Sequence, residues 1–231
     1  MRSGDRVAVG YCDPGTVDGA FCADMFTLAG ARPQRLGSLL RVEGTGLLSR
    51  IRNELVRTFL GSTDEDWLLM LDTDHRVPVA AFDRLIGAAS FTRAPVVSGL
   101  YFAAYRGGLY PRPVPTIYRL SDAGLVPMDD YPRDALIRVD AAGTGCLLVH
   151  RSVLERLRSA VPPQHRDWAW FADGPTDDGQ WLSEDLTFCA RLRGIGVPLH
   201  AHTGAVLPHR KAFWQDAAHH DAWKGSNDDG T

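Results

Sequence analysis

The stretch Asp66-Trp67-Leu68-Leu69-Met70-Leu71-Asp72-Thr73-Asp74 is where the fold is most legible. Trp67 to Leu71 are apolar without alternation, the pattern of a strand covered on both faces. A strand of that kind needs a layer on each side of its sheet, and helices supply those layers in α/β proteins. Asp72 and Asp74 follow directly, so they fall at the strand's C-terminal edge. Open α/β sheets collect their ligands outside that edge.

The neighbouring sequence fits this frame. Arg6 to Tyr11 reads as a first buried strand, ended by the turn-forming Asp13-Pro14-Gly15. Leu47, Ile51, Leu55 and Phe59 keep helical spacing until Gly61. Pro78 opens another helix with Phe82, Leu85, Ile86 and Ala89 on its inner side, and Pro95 to Phe102 is the next strand. Residues 103–137, with Gly107, Gly108, Pro111, Pro113 and Pro115, break the rhythm and read as loops or a hairpin over one sheet edge. The α/β pattern resumes with a strand at Cys146 to His150. Ser152 and Glu155 then have the spacing of a capping box, and Pro162-Pro163 ends that helix. After an irregular 163–182, Ser183 reads as an N-cap with Glu184 and Asp185 in the first turn. Leu186, Cys189 and Leu192 point to the core, and Gly194 suits the C-terminal cap. Residues 197–202 and 205–209 read as two short strands. The expected organisation is an α/β sandwich with a central, mostly parallel sheet: one domain over 1–215, with 103–137 as its insert, and a flexible tail over 216–231.

Composition narrows the function. A chain of 231 residues, 45% hydrophobic and 23% charged, can bury a substantial core as one domain. A net charge of −3 gives no global basic field toward nucleic acid or an anionic membrane. No apolar run approaches the roughly 20 residues that span a bilayer, and the N-terminus lacks a signal-peptide core. Cys12, Cys22, Cys146 and Cys189 form no C-x-x-C pair, so they read as reduced thiols. The expectation is a cytoplasmic protein without membrane insertion.

Three features carry chemistry. Asp72 and Asp74, one residue apart, offer the hard oxygen ligands that Mg²⁺ or Mn²⁺ takes, although a D-x-D in isolation is also a common solvated turn. Glu184-Asp185 at a helix start offers two carboxylates, and its plainer reading is compensation of the helix dipole. His209, just beyond a strand, is a candidate imidazole ligand, where a structural histidine is the commoner case. Tyr101 to Arg119 adds Tyr101, Tyr105, Tyr110, Tyr118, Arg106, Arg112 and Arg119 without one acidic residue. Such side chains stack on sugars and bases and grip phosphate, or else form an aromatic hairpin packed on the sheet.

In order and spacing these parts resemble the GT-A nucleotide-sugar glycosyltransferases. The resemblance rests on Leu68-Leu-Met-Leu-Asp72-Thr-Asp74, Gly143-Thr-Gly-Cys146, Glu184-Asp185 opening a helix that runs to Gly194, and His209, with Arg52-Asn53 ahead of the D-x-D strand. It covers most of residues 6 to 210. It implies that Asp72, Asp74 and His209 hold Mn²⁺ or Mg²⁺, with Asp72 also touching the donor ribose. It further places Asp13, Arg52, Asn53, Thr73, Gly143, Thr144 and Gly145 around a UDP- or GDP-sugar, the glycines leaving room under the sugar. Asp185 or Glu184 becomes the general base of an inverting transfer, with Asp185 favoured. Arg106, Arg112 and Trp181 are then expected to meet an acceptor that the residues do not name: glycan, small molecule, protein or modified nucleic acid.

Other readings meet obstacles. A haloacid-dehalogenase phosphatase needs Thr or Val where Arg76 stands. A nucleotidyltransferase carries a basic, Gly-rich N-terminal phosphate loop, whereas Cys12-Asp-Pro-Gly-Thr16 has neither Lys nor Arg. A GT-A domain that binds nucleotide sugar or glycan without turnover stays open as an alternative, although both aspartates, the acidic pair and His209 are present.

Overall fold

The computed structural model describes residues 5–105, 109–176, 179 and 181–228. In chain order the first half contains β1 (Val7–Asp13), α1 (Gly19–Ala31), β2 (Leu36–Glu43), α2 (Leu48–Ser62), β3 (Trp67–Leu71), α3 (Val79–Ala88) and β4 (Val96–Leu100). The insert contributes β5 (Phe102–Tyr105), β6 (Arg112–Pro115), β7 (Ile117–Ser121) and β8 (Gly124–Pro127), followed by β9 (Leu136–Val139) and β10 (Ala141–Ala142). Then come β11 (Cys146–His150), α4 (Arg151–Ser159), a 3₁₀ turn (Pro163–Trp168), β12 (Gly174–Pro175), β13 (Trp181–Leu182), α5 (Glu184–Gly194), β14 (Leu199–Val206) and α6 (Ala217–Asp228).

Seven strands form the central sheet in the order β2-β1-β3-β11-β4-β14-β9. β11 is antiparallel to both neighbours and β9 is antiparallel to β14, so the other five strands share one direction. β3 sits inside the sheet, and every one of its residues is buried. Its side chains alternate between two cores, as the pleat requires. Trp67, Leu69 and Leu71 join Phe21 of α1 and Phe82, Leu85 and Ile86 of α3. Leu68 and Met70 join Leu55, Val56 and Phe59 of α2, Leu154 of α4 and Phe188 of α5. This two-sided burial is the α/β sandwich that the apolar run implied.

Several local expectations change. The segment 16–46 yielded no sequence reading, yet it contains α1 and the edge strand β2. The helical stripe of α2 begins at Ile51, because Leu47 is an exposed cap residue. The helix after β11 is capped by His150, not by a box starting at Ser152. The chain passes from strand to helix without a loop, and His150 Nδ1 accepts from the Ser152 amide at 3.2 Å. At the end of α5 the left-handed residue is Gly196 (φ +68°), not Gly194. Val197 N donates to Leu192 O and Gly196 N to Arg193 O, the Schellman pattern. The two short strands after Val197 are one strand, β14, which passes Gly204 with a register shift between His202 and Val206. The segment expected as a tail contains α6, which the insert meets through Tyr110 Oη–H donating to His219 O at 3.3 Å. Among the described residues no helix is long and apolar enough to cross a membrane.

Candidate active site

β1, β2 and β3 end side by side, and β3 delivers Asp72-Thr73-Asp74 at that edge. Gly143 to Gly145 lead into the antiparallel β11 and run directly beneath, with Asp72 N donating to Gly145 O at 2.8 Å. That approach needs glycine at 145, where a Cβ would stand 2.6 Å from Asp72 Oδ2 and 2.7 Å from His75 Cε1. Across the cleft, α5 begins at Ser183 and presents Glu184 and Asp185. The Ser183 hydroxyl makes no cap bond, and the Glu184 amide donates instead to Asp173 Oδ1 at 3.2 Å. The chain beyond β14 returns as a strip against residues 74–76, with Arg76 N donating to Pro208 O and Arg210 N to Asp74 O. This strip pairs His209 with His75, so residues far apart in sequence share one edge.

Arg52 organises one side of the cleft. Its side chain, 3% exposed, lies between Asp72, Glu184 and Asp185. Nη2 donates to both Asp72 oxygens at 2.9 and 3.2 Å, and Nη1 donates to Glu184 Oε1 at 2.9 Å. Nη1 also reaches Asp185 Oδ1 and the Thr144 hydroxyl, which in turn donates to Asp185. Burial opposes the charge on Arg52, but the three carboxylates keep the guanidinium protonated. Glu184 shares one cation with two rivals, and burial together with the neighbouring Asp185 pushes its carboxyl up to about 6.

The other side is built from Asp74, His75, His209 and Lys211. His209 donates Nδ1–H to Phe102 O at 2.9 Å, which leaves Nε2 facing Asp74 Oδ2 at 3.0 Å. Lys211 Nζ lies 3.3 Å from the same oxygen. Burial works against the Asp74 charge, but His209 and Lys211 hold its carboxyl well below the usual carboxylate range. His75 is 1% exposed, with Nδ1 3.2 Å from Gly145 O and Nε2 buried without a partner among the described residues. Asp74, His75 and His209 each place one donor atom within 4.8 Å of the others.

Apart from the buried His75 and Thr144, these groups line a cleft of about 370 Å³, with Tyr101, Thr116, Tyr118, Leu125 and Gly143 forming further wall. A second cavity of about 310 Å³ lies behind Asp72-Thr73-Asp74, lined by Cys12, Pro14, Gly44 to Gly46, Leu48 and Ile51. The D-x-D is a ridge between the two.

The expected site residues thus divide. Asp72, Asp74, Gly143, Glu184, Asp185, His209 and Arg52 line the cleft, and Thr73 lines the second cavity. Thr144 is 1% exposed and joins the cleft through Arg52 and Asp185. Asp13 lies at the end of β1 with its carboxylate held by Arg41 Nε at 2.5 Å and Gly15 N at 2.8 Å. Asn53 is spent on backbone: it donates to Ser49 O and Phe171 O and accepts from Trp170 N and Phe171 N. No hydrogen-bonding capacity is left on its amide for a donor ligand, so Asn53 ties the 170–171 segment to α2. Arg112 and Trp181 are exposed and absent from the lining of either cavity, and Arg106 lies outside the described residues. The insert reaches the cleft through Tyr118 and Leu125 instead. Sequence reasoning missed His75 and Lys211. His75 directly follows the D-x-D, and Lys211 stands two positions after His209, so adjacency was the available signal.

No family model matches the chain, and no curated protein matches it by sequence. Solved structures do match in shape. A197 from STIV superposes with a TM-score of 0.55 at 16% identity, covering 93% of this chain and 99% of that one. GalNAc-T7, crystallised with UDP, GalNAc and Mn²⁺, gives a TM-score of 0.52 at 12% identity over 90% of this chain, which spans only 43% of that longer protein. A Drosophila β1,4-galactosyltransferase 7 variant, in complex with manganese, UDP-Gal and xylobiose, gives 0.46 at 13% identity, with 91% and 77% covered. At such identities the likeness speaks of architecture: the chain has the GT-A fold of nucleotide-sugar glycosyltransferases.

Proposed function

We propose that this protein is a metal-dependent glycosyltransferase that moves a sugar from a UDP- or GDP-sugar to an acceptor hydroxyl. The observation that carries the reading is the meeting, at one sheet edge, of a metal-type donor cluster and a separate acidic pair. GalNAc-T7, which shares the fold, was crystallised with a nucleotide, a sugar and Mn²⁺, and that agrees with the reading.

The residues fit a divalent cation. Adjacent ligands on an octahedral ion at about 2.1 Å stand about 3 Å apart, and His209 Nε2 lies 3.0 Å from Asp74 Oδ2 with its other nitrogen already committed. When bound, such an ion supplies Lewis-acid neutralisation of the charge that gathers on a leaving diphosphate. The cavity behind the ridge, floored by Gly44 to Gly46, suits the nucleoside, and Thr73 borders it. Asp72 faces the ribose from the ridge while Arg52 fixes its orientation. The sugar lies over Gly143, and the acceptor enters beside Tyr118 and Leu125. The acceptor oxygen attacks the anomeric carbon, the bond from that carbon to the diphosphate breaks, and the hydroxyl proton passes to Asp185 or Glu184. Arg52 and Thr144 hold that pair in place, which is positional rather than chemical assistance.

The test is a panel of UDP- and GDP-sugars incubated with the protein and Mn²⁺, read as released nucleoside diphosphate. Release that stops with EDTA and in Asp74→Ala supports the reading. Binding without release points to a nucleotide-sugar or glycan-binding domain, and release of pyrophosphate points to a nucleotidyltransferase.

A further inference from the structure

We propose that the ligands of the cation are Asp74, His75 and His209, that Arg52 withholds Asp72 from them, and that the site therefore selects transition-metal cations of the Mn²⁺ type over Mg²⁺. The inference rests on reading the cleft as a metal site, but not on what reaction occurs there.

Two independent observations converge on His75. Its Nδ1 stands 3.2 Å from a carbonyl, Gly145 O, and only a protonated nitrogen makes that contact favourable. The remaining nitrogen, Nε2, is then a bare lone pair. It is buried and, among the described residues, has no partner, in a residue only 1% exposed. An orphaned buried acceptor costs stability, and a bound cation would offset that cost. Separately, the donor atoms of Asp74, His75 and His209 lie within 4.8 Å of one another, close enough to surround one ion. Both imidazoles set one ring nitrogen on a backbone carbonyl, Gly145 O or Phe102 O; the other nitrogen of His209 meets Asp74, and that of His75 is left without a partner among the described residues. Carbonyl partners of this kind fix the tautomer and the ring orientation of metal-bound histidines.

Asp72 is in a different position. Both of its oxygens accept from Arg52 Nη2, at 2.9 and 3.2 Å, and it stands outside the three-residue cluster. The first aspartate of the D-x-D is thus balanced by a buried cation, and a histidine beyond the motif takes up the role of ligand. One carboxylate and two imidazoles form a set that Mg²⁺, which prefers oxygen and keeps its waters, fills poorly.

The experiment is Mn²⁺ binding to the full chain without nucleotide, followed by loss of the free-ion EPR signal, together with pulsed EPR for nitrogen coupling. His75→Asn preserves an N–H that can reach Gly145 O while removing the imidazole, and thermal unfolding verifies that this variant folds. Expected are two coupled imidazole nitrogens in the wild type and one in His75→Asn. Mn²⁺ affinity should fall by about 10-fold or more, a larger loss than in Asp72→Asn, and excess Mg²⁺ should displace Mn²⁺ poorly. A single coupled nitrogen in the wild type, unchanged affinity in His75→Asn, or ready displacement by Mg²⁺ would overturn the assignment. Two couplings in a protein that turns over no nucleotide sugar would leave this ligand set standing and remove the glycosyltransferase reading instead.

Discussion

On one side of the cleft Arg52, 3% exposed, stands among Asp72, Glu184 and Asp185; on the other, Lys211, 41% exposed, meets Asp74 at 3.3 Å. Both are cations facing carboxylates, yet they work under different physics. Arg52 is a buried counter-ion whose removal would strand three acids in a poorly solvated space, and Phe171, 5.8 Å from the guanidinium, closes it off further. Lys211 reaches in from the surface, where water screens the pair. The Arg52 side therefore carries its own counter-ion within the fold, one cation shared among three acids. The Asp74 side has a bare imidazole nitrogen and a loosely held ammonium, which is an arrangement open to an incoming cation.

The largest effect that tests this division is catalytic. With the base on the Arg52 side, Asp185→Asn removes basicity at nearly constant size and should lower transfer about 10²–10⁴-fold, while Mn²⁺ affinity, set by the other side, changes little. Steady-state transfer assays beside the EPR titration measure both. If Glu184→Gln is dead and Asp185→Asn active, the two acids exchange roles. If both variants transfer normally, no enzymic base operates and a retaining reaction becomes the better account.

Stability gives the next contrast. Arg52→Met leaves the acids without their counter-ion and should cost about 3–5 kcal/mol in urea unfolding. Lys211→Met, on a surface-reaching partner, should cost no more than about 1 kcal/mol. Comparable losses from the two would erase the distinction between the two sides.

How much of this was legible in the sequence follows from the same physics. Uninterrupted burial made β3 readable, and the stripe Phe82, Leu85, Ile86 made α3 readable, because one-sided packing imposes a period. Helix α1 was invisible since Phe26, 80% exposed, interrupts the stripe of Phe21, Met25 and Leu28. The edge strand β2 has no fully buried residue and so lacks the sign of a central strand. β14 read as two strands, yet it continues through Gly204, where a side chain would have to displace the Asp134 carboxylate. In the site, Asp72, Asp74, Glu184, Asp185 and His209 were readable as residue types that need a reason to sit at strand and helix ends. The setting of Arg52 was not, because it depends on an α2 side chain meeting the first turn of α5, a contact between residues 132 positions apart. Nor was His75, whose orphaned nitrogen exists only once Gly145 and His209 are packed around it.

The smallest predicted effect concerns pH and isolates Glu184. Its ordinary value is 4.5, and burial beside Asp185 raises it to about 6 in the folded chain. A carboxyl with a raised folded-state value binds its proton more tightly folded than unfolded. Its contribution to stability is therefore present below 4.5 and lost as pH rises through about 6. The depressed acids Asp24, Asp74 and Asp134 act in the opposite sense, since they lose their stabilisation only as pH falls below the ordinary carboxylate range. The interval from 4.5 to 6 is therefore a window in which Glu184 stands apart from them. Across it His75, His150, His200 and His202, whose folded-state values are lowered by burial, add stability to both proteins as pH rises. The test is therefore the difference: relative to Glu184→Gln, which cannot ionise, the wild type should lose at most about 2 kcal/mol in urea unfolding at stepped pH. Saturating the Asp74 side with Mn²⁺ should reduce that difference, because a divalent charge across the cleft favours ionised Glu184. An identical slope in wild type and Glu184→Gln would mean that the acid titrates normally, and that Arg52 balances all three carboxylates without a shortfall.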